Sequence, residues 1–411
     1  MNDFVPAARF LVVSDIHYQN EHTVQRDYFE RALVTAYNYS DNSKNYCKLD
    51  ALFVVGDFAN SGTEVEMQAF NDSLTKIIRP ETDVTISVAG HEYSAEGEGA
   101  AHEKLKRIFG MEPDVHKVIN GFHCISLSTT NGDKFDDDKV LFAENSLTKA
   151  ANDNAKKPIF FFQHPHLRDT VYGSYVWGNS TLIPTLMNYP QIIDFSGHSH
   201  APINDPRSIH QRHFTSVGTG TMFYFELDEF DKIYGTVPPA QMPTPERLHD
   251  AAQMLIVEVN ETGCVRILPY DLISEQFFPD SWQIDEPWNP STFIYTDERF
   301  RAAVKPYFTS DDKIDITAIT NNSITFSFDQ AKIDKEYVNS YDLTVTRKKD
   351  GVIVRKISIW SEYYYTDMSS KLSQKIDGLE SGGSYILTIR ANGFWKNSSI
   401  ETLIIEFKIR G

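Results

Sequence analysis

Histidine and acidic side chains recur in this chain directly after short runs of apolar residues. Imidazoles and carboxylates bind transition-metal ions and can exchange protons near neutral pH. Because such side chains cost free energy to bury unless they are paired or metal-bound, their recurrence favours one shared metal site over separate surface positions. The five segments are Asp15-Ile16-His17, Gly56-Asp57, Gly90-His91-Glu92, His164-Pro165-His166 and His198-Ser199-His200.

The apolar runs before these segments are predicted to be buried strands. The clearest is Ala51 to Val55, five apolar residues that end at Gly56 and Asp57. Two amphipathic helices are predicted between the first three runs, and Pro80 ends the second helix. An alternation of strands and helices indicates an α/β sheet, where the residues that follow parallel strands meet at one edge. The apolar faces comprise Phe29, Leu33, Ala36 and Tyr37 in the first helix, and Phe70, Leu74, Ile77 and Ile78 in the second.

The length, charge and composition of the chain limit how many domains it forms and which partners it binds. A chain of 411 residues is too long for one ordinary core and predicts at least two domains. The net charge of -18 disfavours binding to nucleic-acid polymers and anionic membranes, and it attracts metal cations. No apolar run approaches the roughly 18 residues of a membrane span. Three widely spaced cysteines support neither a disulfide framework nor a cysteine metal site.

Taken together, the five segments resemble the calcineurin-like metallophosphoesterases over roughly residues 8 to 270. The resemblance implies a four-layer α/β sandwich, in which two mixed sheets are flanked by helices and two metal ions bind at the strand ends. The implied ligands are Asp15, His17, Asp57 and His200 for the first ion, and Asp57, His164 and His198 for the second. His166 remains an alternative to His164.

The same resemblance implies a reaction, the hydrolysis of a small phosphomonoester or phosphodiester. A hydroxide held between the two ions, with Asp57 as the bridging ligand, would attack the phosphorus. His91 would stabilise the transition state and protonate the leaving oxygen, a task for a group that titrates near neutral pH. Mixed imidazole and carboxylate ligands suit Mn, Fe or Zn and do not select among them.

One segment departs from the family pattern. The family reads Gly-Asn-His-Asp/Glu at the third segment, and its Asn ligates the second metal ion, whereas this chain reads Ala89-Gly90-His91-Glu92. The second ion is therefore expected to bind more weakly. The loss also supports an alternative function, a catalytically weakened binding protein that recognises a phosphorylated ligand or surface partner. The presence of His91 favours the enzyme, because a binding protein needs no acid for a leaving group.

Four residues are candidates for contact with the substrate: Asn60, His91, Tyr172 and Arg207. The last two belong to loops after the fourth and fifth segments, where specificity is usually set. Arg207 could clamp a phosphate with two hydrogen bonds, and Tyr172 could stack on a base or ring. The sequence is equally consistent with loops that these residues merely order. The loop after the fourth segment also carries Trp177.

The chain is predicted to divide into a catalytic domain over residues 1–272, a linker packed against it over 273–305 and an all-β, immunoglobulin-like sandwich over 306–411. Within the last, Ile376 to Ile389 resembles the fibronectin type III pattern, with Tyr385 as a tyrosine-corner residue. That resemblance implies a possible contact with glycans or proteins and an extracytoplasmic setting. The first ten residues show no signal peptide, which points the other way, so localisation stays open.

Overall fold

The computed structural model describes residues 4–227 and 251–411. Within them the chain forms two compact units, one of residues 4–227 with 251–297 and one of residues 298–411. All five acidic and histidine segments lie in the first unit. The predicted domain boundaries stay predictions. No helix of the described residues is both long and apolar enough to cross a bilayer.

The first unit contains fifteen described strands and seven described α-helices, besides one π-helical and two 3₁₀-helical segments. The strands are β1 (Pro6–Val13), β2 (Ala51–Val55), β3 (Asp83–Ser87), β4 (Asp114–Ile119), β5 (Phe122–Leu127), β6 (Ile159–Phe162), β7 (His166–Leu167), β8 (Gly178–Asn179), β9 (Ile192–Ser196), β10 (Ile209–Gln211), β11 (Thr215–Gly218), β12 (Gln253–Asn260), β13 (Val265–Asp271), β14 (Gln276–Phe277) and β15 (Trp282–Ile284). The helices are α1 (Val24–Asp41), α2 (Glu64–Ile77), α3 (Gly90–Tyr93), α4 (Glu98–Lys104), α5 (Asp137–Asp153), α6 (Ser174–Trp177) and α7 (Ile183–Leu186).

Two mixed sheets form the centre of this unit. The first has the order β14-β13-β12-β1-β2-β3, with β15 also paired to β13, and the second has the order β10-β11-β9-β6-β5-β4. Strands β1, β2 and β3 are parallel, as are β5, β6, β9 and β11. Because β14 and β15 extend the first sheet, part of the segment predicted as a linker belongs to that sheet.

Alternating side chains on the strands build the predicted four layers. Along β1, Phe10 points into an apolar core between the two sheets, and Leu11 points to the other side, where α1 and α2 pack. In the core between the sheets, the rings of Phe53 and Phe162 stack with centroids 3.8 Å apart. Helix α5 packs on the outer face of the second sheet through residues such as Leu147. The four-layer α/β sandwich is therefore confirmed.

Local signals explain where the helices begin and end. Thr63 caps α2 in a capping box with Glu66, in which each side chain accepts a hydrogen bond from the other residue's backbone N–H. The predicted apolar face of the first helix is buried. In the second, Phe70 and Leu74 are buried, Ile77 and Ile78 are partly buried against the same core, and α2 stops at Ile77, before Pro80. These elements position the loops that follow β1, β2 and β3.

The second unit is all-β apart from one short helix. Its elements are α8 (Glu298–Ala302), β16 (Ile314–Ile319), β17 (Ile324–Asp329), β18 (Ser340–Arg347), β19 (Ile353–Trp360), β20 (Lys371–Ile376), β21 (Ser384–Asn392) and β22 (Leu403–Lys408). They form sheets of order β16-β17-β20 and β19-β18-β21-β22 around one apolar core, which confirms the predicted β-sandwich. The hydroxyl of Tyr385 accepts a hydrogen bond of 2.9 Å from the backbone N–H of Glu380, the geometry of a tyrosine corner. The fibronectin type III identity stays a prediction.

Candidate metal centre

The five segments meet at one edge of the sandwich. Those containing Asp15, Asp57 and His91 follow β1, β2 and β3 of the first sheet, while those containing His164 and His198 follow β6 and β9 of the second. Their ligand atoms converge because the carboxyl ends of parallel strands open onto the same side. Three groups each place their ligand atoms within 4.8 Å of one another: Asp15, His17 and His200; His17, Asp57 and His91; and Asp57, His164 and His198.

Short distances between buried ligand atoms identify the residues that fit metal ions. His200 Nε2 lies 3.3 Å from Asp15 Oδ1 and 3.2 Å from His17 Nε2. His164 Nε2 lies 2.9 Å from Asp57 Oδ2, yet it has no hydrogen bond of acceptable geometry although it is buried. A buried imidazole nitrogen that lies close to a carboxylate but makes no hydrogen bond of good geometry is suited to binding a transition-metal ion.

Backbone carbonyls orient three of the imidazoles. A hydrogen bond from Nδ1 to a carbonyl directs Nε2 of the same ring towards the metal-binding groups. This is the outer support typical of histidine ligands. The three contacts are His91 to Asn60 at 2.7 Å, His164 to Val55 at 2.7 Å, and His200 to Tyr224 at 3.0 Å.

The backbone at the site is unusual. Twelve described non-glycine residues have a positive φ, and five of them are predicted metal ligands: Asp15, His17, Asp57, His198 and His200, at 50° to 74°. Left-handed backbone disfavours side chains and concentrates at functional sites. Gly56 also has a positive φ, of 75°, and a Cβ there would lie 2.7 Å from the ring of His164. Glycine before Asp57 therefore lets His164 approach that carboxylate.

Charge complementarity shifts the pKa values of the buried groups. Burial by itself would raise the pKa of Asp57, but the adjacent His164 imidazole outweighs it and holds that pKa well below its usual range. Burial lowers the pKa of His164, and the carboxylates of Asp57 and Asp15 reverse this and raise it to about 10. Burial, with a contribution from His200, lowers the pKa of His17 to about 3. A cation replacing the proton on His164 would preserve the same pairing.

Glu92 holds the backbone around the predicted ligand Asp57 in place, a role that the sequence did not predict. Its buried carboxylate accepts hydrogen bonds from the backbone N–H groups of Asp57, Ala59 and Ala89, at 3.1, 2.8 and 2.9 Å. Burial and the charge of Asp57 raise the pKa of Glu92 to about 8. The contacts tie the loop after β2 to the start of α3, so Glu92 positions both Asp57 and His91.

Gly90 directly precedes His91, in the segment where the expected amide ligand is missing. A Cβ built on Gly90 would meet nothing closer than Gly132 Cα, at 3.8 Å. The position therefore has room for a side chain, and the chain supplies none. His198, a predicted ligand of the second ion, is partly exposed, whereas Asp15 and His17 are buried.

The structure separates the two histidines of the fourth segment. His164 joins the group with Asp57 and His198. His166 is also buried, but its two ring nitrogens contact the hydroxyls of Ser196 and Ser199 at 2.8 and 2.6 Å. His166 therefore stands in a hydroxyl network beside the centre and not in a described ligand group.

Of the predicted substrate contacts, two lie at the centre and two are engaged within the protein. His91 is exposed, and Asn60 lies next to it, accepting the hydrogen bond from its ring. Arg207 makes two side-chain hydrogen bonds to Asp205, at 2.9 and 2.8 Å, and its guanidinium lies 3.8 Å from the ring centroid of the buried Tyr172. This geometry does not favour phosphate clamping by Arg207 or stacking by Tyr172, and both roles stay predictions.

Two aromatic side chains flank the ligands, and neither was predicted to have a specific role. The ring centroid of Phe223 lies 4.8 Å from that of His17, and the centroid of Trp177 lies 5.4 Å from that of His198. For Trp177, the sequence predicted only that it belongs to a loop proposed to hold substrate. The signal for Trp177 in the sequence is its short distance from the fourth segment. Phe223 offered no comparable signal, because it lies more than twenty residues beyond the fifth.

Comparison with known proteins agrees with this geometry. Residues 8–202 match the calcineurin-like phosphoesterase family. The matched region contains all five segments and ends just after His200. No curated protein matches the chain.

Solved structures resemble the chain only distantly. A purple acid phosphatase from yellow lupin (Lupinus luteus) seeds is 14% identical, with a TM-score of 0.46, over 74% of this chain and 58% of that one. The chain thus spans little more than half of the lupin protein. A redesigned β-sandwich protein is 18% identical over 26% of this chain and 92% of that one, with a TM-score of 0.20. A protein described as a myokine is 17% identical over 26% and 99%, also at 0.20.

Proposed function

We propose that this protein is a binuclear metal-dependent phosphoesterase that hydrolyses a small phosphomonoester or phosphodiester. The observation that supports this proposal is that a ligand atom of Asp57 lies within 4.8 Å of one from His17 in one group and of those from His164 and His198 in another. Both groups lie within the region that matches the calcineurin-like phosphoesterase family. A carboxylate shared in this way is suited to bridging two cations. The proposed ligands are Asp15, His17, Asp57 and His200 for the first ion, and Asp57, His164 and His198 for the second.

Two Mn, Fe or Zn ions at these groups would supply Lewis acidity towards the phosphoryl oxygens and an activated water. The residues of the chain do the remaining work. Asp57 joins the ligands of the first ion to those of the second. Glu92 holds Asp57 in place by accepting hydrogen bonds from three backbone N–H groups. The carbonyls that accept from Nδ1 keep Nε2 of His164 and His200 directed inward.

His91 is the proposed general acid. Its backbone N–H donates a hydrogen bond of 3.2 Å to Asp57 Oδ1, so the residue contacts the carboxylate proposed to bridge the two ions. Its Nδ1 lies 2.7 Å from the carbonyl of Asn60, so Nε2 is the nitrogen available to protonate a leaving oxygen. The side chain is exposed, as a group that meets a substrate from solvent must be.

The decisive experiment measures hydrolysis by metal-stripped protein reconstituted separately with Mn, Fe and Zn. Comparing p-nitrophenyl phosphate with bis-p-nitrophenyl phosphate separates monoesterase from diesterase activity. We expect turnover that requires added metal and falls about a hundredfold or more in His91→Ala. His22→Ala, at an exposed surface histidine, is the matched control.

A binding protein for a phosphorylated ligand is the second candidate, and the open position at Gly90 favours it. It predicts metal-dependent binding of phosphate by calorimetry together with no turnover of either ester under any metal. That result would refute the enzyme and retain the metal centre.

A further inference from the structure

Three exposed apolar residues lie beside the candidate metal centre. On α6, Tyr175 is 75% exposed, and Val176 and Trp177 are each 39% exposed. Trp177 meets His198 in a T-shaped contact, with ring centroids 5.4 Å apart and planes at 80°. One part of the indole thus borders a proposed ligand of the second ion, while another part remains open to solvent. Exposed aromatic surface at such a place indicates a binding role.

The position of Trp177 is held by the chain on both sides of it. The guanidinium of Arg168 donates to the carbonyls of Tyr175 and Gly178, both at 3.0 Å. A Cβ at Gly178 would lie 2.1 Å from the carbonyl oxygen of Ser174 and 2.7 Å from Arg168 Cα, so only glycine allows this close turn. The indole is therefore presented on a braced turn, which reduces the entropy lost when a ligand packs against it.

We propose that Trp177 is a stacking platform for the base of a nucleoside phosphoester, the substrate class of this centre. The inference rests on the proposed phosphoesterase function. In a nucleotide, one sugar separates the base from the phosphate. When the phosphate lies at the metal centre, the base therefore lies to one side of it, as the indole of Trp177 does beside His198. Aromatic side chains stack on any base, because every base has a π face. The net charge of -18 favours a mononucleotide over a polynucleotide.

Tyr172, the residue predicted to stack, is not available in the same way. It is buried, with the guanidinium of Arg207 3.8 Å from its ring centroid. Trp177 follows five residues later in the same loop and supplies the exposed ring. The stacking role predicted for this loop thus moves from Tyr172 to Trp177.

The test compares AMP with ribose 5-phosphate, which have the same leaving oxygen and differ by the base. If the protein cleaves only diesters, the methyl esters of the two compounds replace them. We expect wild-type kcat/KM to be at least about tenfold higher for the nucleotide, and Trp177→Ala to remove that preference mainly through KM. Trp177→Phe should restore most of it. Because the preference is a ratio of two substrates measured on the same variant, a general loss of activity in Trp177→Ala would lower both values and could not imitate the loss of preference.

Tyr175→Ala is the matched control. It removes a more exposed aromatic residue from the same short helix, but residues two apart on a helix face different directions. Its nucleotide preference should equal that of the wild type. A wild-type preference that survives in Trp177→Ala, or the absence of any preference, overturns the platform even when p-nitrophenyl esters are hydrolysed.

Binding measurements keep the two proposals distinguishable. If no phosphoester is cleaved, the phosphoesterase proposal fails, and calorimetry of the metal-loaded protein with AMP and ribose 5-phosphate still decides the platform. Tighter binding of AMP that disappears in Trp177→Ala supports the platform. Equal binding of the two compounds refutes it.

Discussion

The two halves of the proposed metal centre, one for each ion, differ in how deeply their residues are buried. The first half, Asp15, His17 and His200, is almost completely enclosed, with exposed fractions of 0%, 1% and 5%. The second half has a partly exposed ligand, His198, and the open position at Gly90 in the neighbouring segment. We expect the enclosed half to retain its ion and the open half to exchange its ion and meet the substrate.

The largest effect is expected where the two halves join. Asp57→Asn keeps the shape of the side chain and removes the charge that both ions would share. We expect hydrolysis to fall about a thousandfold or more, because the loss touches both cations. Metal content after dialysis should decrease at both halves. Asp72→Asn, exposed on α2, is the control and should change neither quantity. Full activity in Asp57→Asn would contradict a shared ligand.

The difference between the halves can be measured directly by removing one ligand from each. His200→Ala should weaken the tighter site by about a hundredfold or more, and His198→Ala should weaken the looser one by a similar factor. Calorimetric titration of the wild-type protein should resolve two affinities. Two equally tight sites in the wild-type protein would contradict the difference between the enclosed and the open half. The same difference fails if His200→Ala weakens only the looser site.

An added side chain should reduce the difference. Gly90→Asn introduces an amide where a Cβ has no neighbour within 3.7 Å, so it can be accommodated without rearranging the backbone. We expect the second ion to bind about tenfold more tightly, with the first unchanged. Gly90→Ala is the matched control, since it adds a side chain without a ligand atom. An equal effect of both substitutions would show that the missing ligand is not the cause.

The smallest effect concerns a buried carboxylate outside both halves. Asp194 lies on β9 and accepts a hydrogen bond of 3.1 Å from Gln163, and burial raises its pKa to about 7. The folded protein holds this proton more tightly than the unfolded chain, so stability declines as pH rises from about 4 to 7. Asp194→Asn cannot ionise. It should raise the free energy of unfolding by roughly 2 kcal/mol at pH 8 and by much less at pH 4.

Denaturant melts at the two pH values measure this effect. A gain of equal size at pH 4 and pH 8 would show that packing and not ionisation is responsible. The contrast with Asp57 is physical. Asp57 is surrounded by imidazoles and keeps its charge, whereas the side chains of Gln163 and Ser216 beside Asp194 are neutral and cannot neutralise a buried carboxylate.

The parts of the fold that follow from local pattern could be predicted from the sequence. The apolar run before Asp57 had to become a buried strand, and the spacing of Phe29 and Leu33 had to become a helix face. Strand ends that carry Asp15, His164 and His198 were expected to meet, because parallel strands share an edge. The structure brings them together in this way.

What the sequence could not show depends on contacts between distant loops. Glu92 acts through backbone N–H groups of Asp57 and Ala59, more than thirty residues away, and backbone donors leave no trace in residue identity. The sequence does not reveal that the side chain of Arg207 donates hydrogen bonds to Asp205, two residues earlier, and so is already engaged within the protein. The strands β14 and β15 are too short to show the alternation of apolar and polar residues that marks a strand, so the sequence did not predict their place in the first sheet.

The left-handed backbone at five ligand positions has a consequence for the evolution of the protein. Each such residue disfavours the folded state by about 1 kcal/mol relative to glycine. Without metal, only the pairing of buried charges, such as that of His200 with Asp15 at 3.3 Å, offsets this backbone cost. A bound ion would add a further offset, so selection for thermostability in buffers that contain metal should preserve this backbone better than selection with a chelator.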